Sequence, residues 1–320
     1  MALAKPPEVQ LSTDLQRTAE RAKEYMRQAK AANTIRAYRS DWRHFTEWCT
    51  RQQLPFLPAS QETVTLYLTE LAATAKTSTL QRRLSAIAQA HRTAELPIPT
   101  TSADVRLAWA GIRRQKGTVQ EPKAPILVGD LRRMVATCDS SILGIRDRVL
   151  LLVGFAGAFR RSELVSLDAA DLTFGASGVT IRLRRSKTDQ EGHGEKVGIP
   201  WGTNADTCPV SALKAWLEAA GISVGPVFRP VDRHSNIKPQ RLSDRAVALI
   251  VKRHAEAAGL EAEKYSGHSL RAGLATSAAM GGASERAIMR QTRHRSLPMV
   301  RRYIREGDLF RENAAAQVGL

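Results

Sequence analysis

The sequence predicts a mainly α-helical protein with a small β-sheet or hairpin, divided into two domains. Apolar residues recur every three or four positions over most of the chain, one short segment alternates as a strand does, and a stretch containing Gly and Pro separates two halves. We expect a helical N-terminal domain over residues 1–115, a linker over 116–126, and a mixed α+β domain over 127–320.

Four helices are expected in the N-terminal domain, each with its own start signal or apolar face. Asn33-Thr34 predicts an N-cap before a helix that reaches about residue 50, and Ser60 and Ser102 predict the N-caps of the second and fourth helices. The third helix should run from about Ser78 to Glu95, and a weaker helical pattern covers residues 12–31.

The C-terminal domain combines helices with one hairpin. Residues 142–155 are typical of a buried helix, while 179–183 and 197–199 alternate as two strands joined by a long glycine-containing loop. Further helices are expected at about 209–220, 243–258, 268–280, 284–293 and 297–305, and a short C-terminal helix over 308–320.

The charge is strongly positive in both halves. The chain has 48 Lys and Arg against 31 Asp and Glu, a net charge of +17; residues 1–120 hold 18 against 10, and the remainder 30 against 21. Such a distribution favours a nucleic-acid partner over a merely solvated surface. Three separated cysteines exclude a disulfide framework, and no apolar stretch approaches the ~18 residues of a membrane span, so we expect a soluble intracellular protein without a membrane partner.

The residues that could do chemistry are mostly cationic. Neither a P-loop nor an HExxH motif is present, and a set of Arg, Lys and His without a carboxylate ligand set suits a phosphodiester without a metal or cofactor. Each residue alone has an ordinary interpretation: a surface pair on a helix, an ion pair at a helix end, or a packing aromatic. The set consists of Arg160, Lys187, His268, Arg271, His294 and Tyr303, with Glu163 three positions after Arg160.

In that order and spacing, these residues resemble the tyrosine recombinase (phage integrase) family. The resemblance covers essentially the whole chain and is strongest to Cre-like members around residues 265–269 and 303–305. Two positions depart from the pattern: His294 stands where Cre has tryptophan, and Arg293 stands where the family usually has glycine. The matching segments are residues 159–164, 186–188, 266–273 and the pair His294 and Tyr303.

The resemblance implies a site-specific DNA recombinase that needs neither ATP nor metal. Tyr303 would attack the phosphorus, giving a 3′-phosphotyrosine and a free 5′-hydroxyl. The resemblance assigns the other roles as follows: Arg160 and Arg271 hold the phosphate, His294 donates to a non-bridging oxygen, His268 accepts the Tyr303 proton, Lys187 protonates the leaving 5′-oxygen, and Glu163 orients Arg160 or His268.

The resemblance also implies a two-domain clamp on double-stranded DNA with inverted-repeat half-sites, a homo-tetramer on two paired sites, and a cytoplasmic, nucleoid-associated location. The helices at 34–50 and 78–95 would face the major groove. The residues of the helix over 308–320 allow it to dock on its own domain or on a neighbouring subunit, and the resemblance favours the neighbouring subunit. The candidate DNA contacts are Arg36, Arg39, Arg43, Gln81, Arg82, Arg83, Arg182, Arg184, Arg185 and Arg241.

Two other classes stay open at this point. A type IB topoisomerase or telomere resolvase would share the tyrosine chemistry, but the compact N-terminal half without an inserted coiled coil favours recombination. A non-catalytic DNA-binding regulator would have lost the site, whereas all six chemical positions here carry usable residues. Strand exchange between two sites separates these classes.

Overall fold

The computed structural model describes residues 17–18, 21, 32–117, 123–184, 194–294 and 296–307. The chain forms two compact units, Met1–Glu121 and Pro122–Leu320. Most of the helix expected over 12–31 lies outside the described residues, as does all of the one expected over 308–320. Within the described part, no helix is long and apolar enough to cross a membrane.

Between residues 32 and 117 the first unit contains four α-helices. Ser60 and Ser102 act as N-caps, as predicted: their hydroxyl oxygens accept hydrogen bonds from the backbone N–H groups of Thr63 and Val105, at 3.2 and 3.4 Å. The N-cap predicted at Asn33-Thr34 is wrong, because the helix already includes Ala32. The helices are α1 (Ala32–Arg51), α2 (Gln61–Ala72), α3 (Thr77–Thr93) and α4 (Ala103–Lys116).

Aromatic side chains fix the core of this first unit. Tyr67 of α2 packs edge-on against Phe45 and Trp48 of α1, with ring centroids 4.9 and 5.2 Å apart. The fully buried His91 of α3 forms a hydrogen bond at each ring nitrogen. Its Nε2 accepts from the N–H of Ala59 at 2.9 Å. Nδ1 therefore carries the proton and donates to the carbonyl of Ile87 in the same helix, also at 2.9 Å. The apolar faces of the helices therefore point inward, and the arginine-bearing faces of α1 and α3 stay outside.

The second unit has eight helices and a three-stranded antiparallel sheet among its described residues. The predicted strands are confirmed as β2 and β3, and β1 joins β2 along the opposite edge, with Leu172 opposite Ile181. The elements are α5 (Val128–Ala136), α6 (Ile142–Ala156), α7 (Arg161–Ser166), β1 (Leu172–Gly175), β2 (Gly178–Leu183), β3 (Glu195–Pro200), α8 (Pro209–Ala219), α9 (Asp244–Ala257), α10 (Ser269–Met280), α11 (Glu285–Thr292) and α12 (Leu297–Gly307). The predicted fold class, mainly α with a small sheet, is confirmed.

Helix α6 is the centre of the second unit, and its residues 149–153 are buried on every side. Helix α10 approaches the segment before α5 closely at Gly273, where a Cβ atom would lie 1.9 Å from the carbonyl oxygen of Ile126. The N–H of Ile126 in turn donates to the carbonyl of Ser269 at 3.0 Å. Together these contacts fix the first turn of α10 in position, and that turn carries much of the candidate site.

Candidate active site

Arg160 lies at the N-terminus of α7, in the turn that follows α6. Its Nη1 donates to Oε1 of Glu163 at 2.5 Å, and its backbone N–H donates to Oε2 at 3.0 Å. Burial of Glu163 would raise the pKa of its carboxyl, but Arg293 and the bonds from Arg160 outweigh burial and hold the pKa below its usual range. The carboxylate is therefore ionised, and it fixes the direction of Arg160.

Arg271 lies in the first turn of α10 and is only 1% exposed. Its Nη1 donates to the carbonyl oxygen of Ala158 at 2.8 Å; Ala158 has a φ of +46°. Its Nη2 is buried and bonds no atom of the described residues. Burial, followed by repulsion from Arg160 and Arg293, lowers the pKa of Arg271 to about 9, so the guanidinium is still charged at pH 7. A buried cation with an unused donor is suited to an anionic ligand.

Tyr303 lies on α12, which packs against the small side chains of α10. Tyr303 and Val300 share a core cluster with Ala272, Ala275 and Ala279. This close packing leaves Tyr303 only 9% exposed and places its hydroxyl oxygen 3.2 Å from Nε2 of His268, the residue before α10. That separation is within the range for direct proton transfer.

His294 follows α11 and completes the cluster. The hydroxyl of Thr292 donates to the carbonyl of Ile288 at 2.7 Å, so its oxygen, 2.8 Å from Nδ1 of His294, accepts a hydrogen bond from that nitrogen. In the neutral ring the lone pair is then on Nε2. Burial, with Arg271, Arg160, His268 and Arg293 in that order, lowers the pKa of His294 to about 3. Donation from Nε2 to a phosphate oxygen thus requires protonation, which the charge of that phosphate would favour.

The structure thus brings together Arg160, Glu163, His268, Arg271, His294 and Tyr303 in the second unit. Lys187 and Arg185 lie outside the described residues. Among the described residues, no group of three or more His, Cys, Asp or Glu side chains could hold a metal ion.

The residues predicted to contact DNA are distributed over both units. Arg36, Arg39, Arg43 and Gln81 are exposed on α1 and α3. Arg82 is also exposed and forms two hydrogen bonds to Asp41, at 2.6 and 3.0 Å, whereas Arg83 is half-buried beside the ring of Tyr67.

The arginines near the sheet have partners within the protein. Arg184 bonds Asp171 at 2.7 Å, and Arg241 bonds Asp168 at 2.6 Å. With the exposed Arg182 they line a polar cavity of about 360 Å³. Acidic residues here already offset part of the positive charge that the sequence assigned to phosphate contacts.

Sequence reasoning missed the groups that orient the site. No sequence motif marks the carbonyl of Ala158 or the hydroxyl of Thr292 as a functional group. The first belongs to the backbone, and the second belongs to an ordinary helix residue. Arg293 does carry a signal, because it replaces the glycine that the family usually has at that position. In the structure its guanidinium is buried beside Glu163.

Comparison with known proteins agrees with this geometry. The profile of the phage integrase family matches residues 127–308, and the profile of the phage integrase N-terminal SAM-like domain matches residues 20–95. An integrase/recombinase XerD homologue of Selenomonas ruminantium is 46% identical over 303 residues, covering 93% of this chain and 89% of that protein.

The chain is also similar to a further curated protein and, in its fold, to a solved structure. The Cre recombinase of Escherichia phage P1 is 25% identical over 303 residues, covering 88% of this chain and 86% of its own. A lambda integrase tetramer bound to a Holliday junction has the same fold, with a TM-score of 0.59 and 16% identity over 90% of this chain and 76% of that one. This chain belongs to the phage integrase family, the family of tyrosine-type site-specific recombinases.

Proposed function

We propose that this chain cleaves and rejoins DNA at specific sites through a 3′-phosphotyrosine on Tyr303, without metal or ATP. The Tyr303 oxygen attacks the phosphorus while its proton passes to His268. The bond from phosphorus to the 5′-oxygen breaks, and Lys187 protonates that oxygen. Attack by a 5′-hydroxyl from the partner strand reverses the step, so the bond energy is conserved. Arg160 and Arg271 bind the non-bridging oxygens, and Glu163 is a positioning residue for Arg160.

The observation that carries this proposal is the buried, unused Nη2 of Arg271 close to a tyrosine hydroxyl that already contacts a histidine. After burial, Arg271 and Arg160 contribute most to the lowered pKa of His294, so these cations lie near its ring. Charges fixed in advance around a buried pocket stabilise the extra negative charge of a pentavalent phosphorus. A decayed DNA-binding regulator would have no need for this arrangement, and the named relatives do not favour a topoisomerase.

A suicide half-site tests the proposal. In this DNA a nick lets the 5′-hydroxyl fragment diffuse away, so a covalent adduct accumulates and can be counted on a denaturing gel. Tyr303→Phe should abolish the adduct and keep half-site binding, since only one hydroxyl is lost. Tyr265→Phe is the matched control, because Tyr265 is also a largely buried tyrosine and bonds Asp130 instead. An adduct in Tyr303→Phe, or a strict need for a divalent cation in EDTA-treated protein, would contradict the mechanism.

We further propose that both units contact one DNA duplex and that four chains assemble on two paired sites with inverted-repeat half-sites. The helical domain (1–115) would present α1 and α3, the linker (116–126) would join the two domains, and the domain over 127–320 would cut the duplex. The basic charge of both halves supports this arrangement, as does the DNA-bound tetramer of lambda integrase. A cytoplasmic location at the nucleoid follows from such a substrate.

A further inference from the structure

Arg293 combines an unfavourable backbone conformation with a buried charged side chain. Its φ of +55° and ψ of +41° lie in the left-handed region, which glycine adopts freely and other residues adopt at a cost. Its guanidinium is almost fully buried, where an unpaired charge is also unfavourable. A glycine would avoid both costs, so the guanidinium must supply contacts that glycine cannot.

Those contacts converge on the groups that orient the two phosphate-binding arginines. Nη2 of Arg293 donates to the carbonyl of Ala158 at 3.0 Å, the same oxygen that accepts from Arg271. Nη2 also donates to Oε2 of Glu163 at 3.0 Å, the same carboxylate that binds Arg160. Arg293 therefore shares one acceptor with each phosphate-binding arginine.

The remaining donors of Arg293 are also directed at the protein. Nη1 donates to the carbonyls of Gly157 and Gln291, at 2.9 and 2.8 Å. Nε makes no hydrogen bond to a described residue, but it lies 3.8 Å from a carboxylate oxygen of Glu195. Since four of the five N–H groups are used and the fifth faces a carboxylate, Arg293 has no donor left for a phosphate.

We propose that Arg293 is a positioning residue that holds Arg160 and Arg271 in fixed register with the segment carrying His294 and Tyr303. It begins the connection between α11 and α12, so its bonds to residues 157 and 158 join this segment to the turn after α6, and its bond to residue 163 joins it to α7. Gln291, the last but one residue of α11, adds a hydrogen bond to the C-terminus of α6 by donating to the carbonyl of Ala156 at 2.8 Å. This inference rests on the proposed cleavage chemistry.

Arg293→Gly is the sharpest test, because glycine fits the left-handed backbone and the whole side chain with its guanidinium is lost. We expect single-turnover cleavage of the suicide half-site at saturating protein to slow by about 10- to 100-fold, the cost typical of misplaced reacting groups. The Kd for the half-site should change less than about twofold, since no phosphate donor is removed. Added guanidinium chloride at millimolar concentration should restore part of the rate in Arg293→Gly.

A matched control removes the same charge from the exposed face of α11. Arg286→Ala should leave both rate and Kd close to those of the unchanged protein, because Arg286 is exposed on that helix. Should Arg293→Gly fail to fold, Arg293→Lys carries the test: it keeps the charge but lacks the planar fork, so cleavage should slow equally. A rate within twofold of the unchanged protein in either variant would overturn the inference.

A double-mutant cycle with Glu163→Gln distinguishes a shared network from two separate defects. If Arg293 acts through Glu163, the double variant should cleave no more than about twofold slower than the slower single variant. Multiplied defects would show that Arg293 acts independently and would contradict the proposed role. An unchanged protein that forms no adduct at all would instead refute the proposed function, so the two failures are distinguishable.

Discussion

Arg82 of the first unit and Arg271 of the second unit show two opposite uses of arginine. Arg82 is half exposed and pairs with a carboxylate, Asp41, that offsets its charge. Arg271 is buried and bonded to a backbone carbonyl, which fixes its direction and leaves its charge intact. The first arrangement suits recognition of a surface, whereas the second suits stabilisation of a charge that forms during a reaction.

The site also has more cations than anions. Arg160, Arg271 and Arg293 lie around one shared carboxylate, that of Glu163, with Glu195 at the edge. Three guanidinium groups against Glu163 leave a positive surplus in a buried region, where Coulomb interactions are strong. Burial first, and repulsion among these cations second, lower the pKa values of Arg271 and His294. A phosphodiester would relieve this repulsion. Arg82 on the surface of the first unit is already paired with Asp41, so binding a phosphate there relieves no such repulsion.

The largest expected effect comes from removing the buried arginine. Arg271→Ala should slow single-turnover cleavage by about a thousandfold or more, since the lost charge acts mainly in the transition state. Half-site affinity, measured by gel shift, should fall far less. Arg271→Lys is the control for charge alone and should also be slow, because one ammonium cannot bond the carbonyl of Ala158 and a phosphate in the same geometry. An affinity loss as large as the rate loss would mean that Arg271 acts in DNA binding, as Arg82 does, and not mainly in the transition state.

The burial of His294 and the cations around it should also appear in the pH dependence of stability. The pKa of His294 is about 3 in the folded chain and near 6.5 when unfolded, so between these values the unfolded chain binds a proton that the folded chain does not. The contribution of His294 to the free energy of unfolding should therefore fall by about 1–2 kcal/mol between pH 7 and pH 5.

Urea unfolding of the unchanged protein and of His294→Asn at both pH values measures this contribution. The asparagine variant should lose less stability on acidification, because the titrating ring is gone. His254, whose pKa burial lowers to about 4, remains in both proteins and so cancels in the difference. Equal losses in the two proteins would mean that the pKa of His294 is not lowered in the folded chain.

The smallest expected effect belongs to the exposed arginine. Arg82→Ala should weaken half-site binding by about three- to tenfold at low salt and reduce the slope of log Kd against log salt by about one. The cleavage rate at saturating protein should change less than the affinity. Arg106→Ala removes an exposed charge from α4 and serves as the control. If Arg82→Ala lowered the cleavage rate as strongly as Arg271→Ala, the division between recognition and chemistry would be wrong.

Local signals explain how much of the fold the sequence could predict. Ser60 and Ser102 are N-caps because a hydroxyl beside a helix start has a backbone donor within reach whatever surrounds it. Helix α7 is missed since six residues are too few to show a period, and β1 is missed because it is only four residues long. The Asn33 signal is wrong because the same side chain bonds Arg36 within the helix.

The candidate site was predictable as a set of residues but not as a geometry. The order of Arg160, His268, Arg271, His294 and Tyr303 is visible in the chain, and the structure brings these residues together. That Arg293 shares acceptors with two of them depends on a left-handed turn and on the carbonyl of Ala158, which no sequence pattern reports. Likewise, Arg184 and Arg241 look like free surface charges until folding pairs them with Asp171 and Asp168.

The contact between Tyr303 and His268 within a single chain has a consequence for how copies would cooperate. With the proposed roles, a chain that holds Tyr303 beside its own His268, and near its own arginines, would use its own residues for the attack on the phosphorus. Each copy would then break the strand to which it is itself bound. A copy lacking the tyrosine and a copy lacking an arginine could not complement each other on one DNA site. Each copy would need the group that only its neighbour still carries, and that group acts within its own chain.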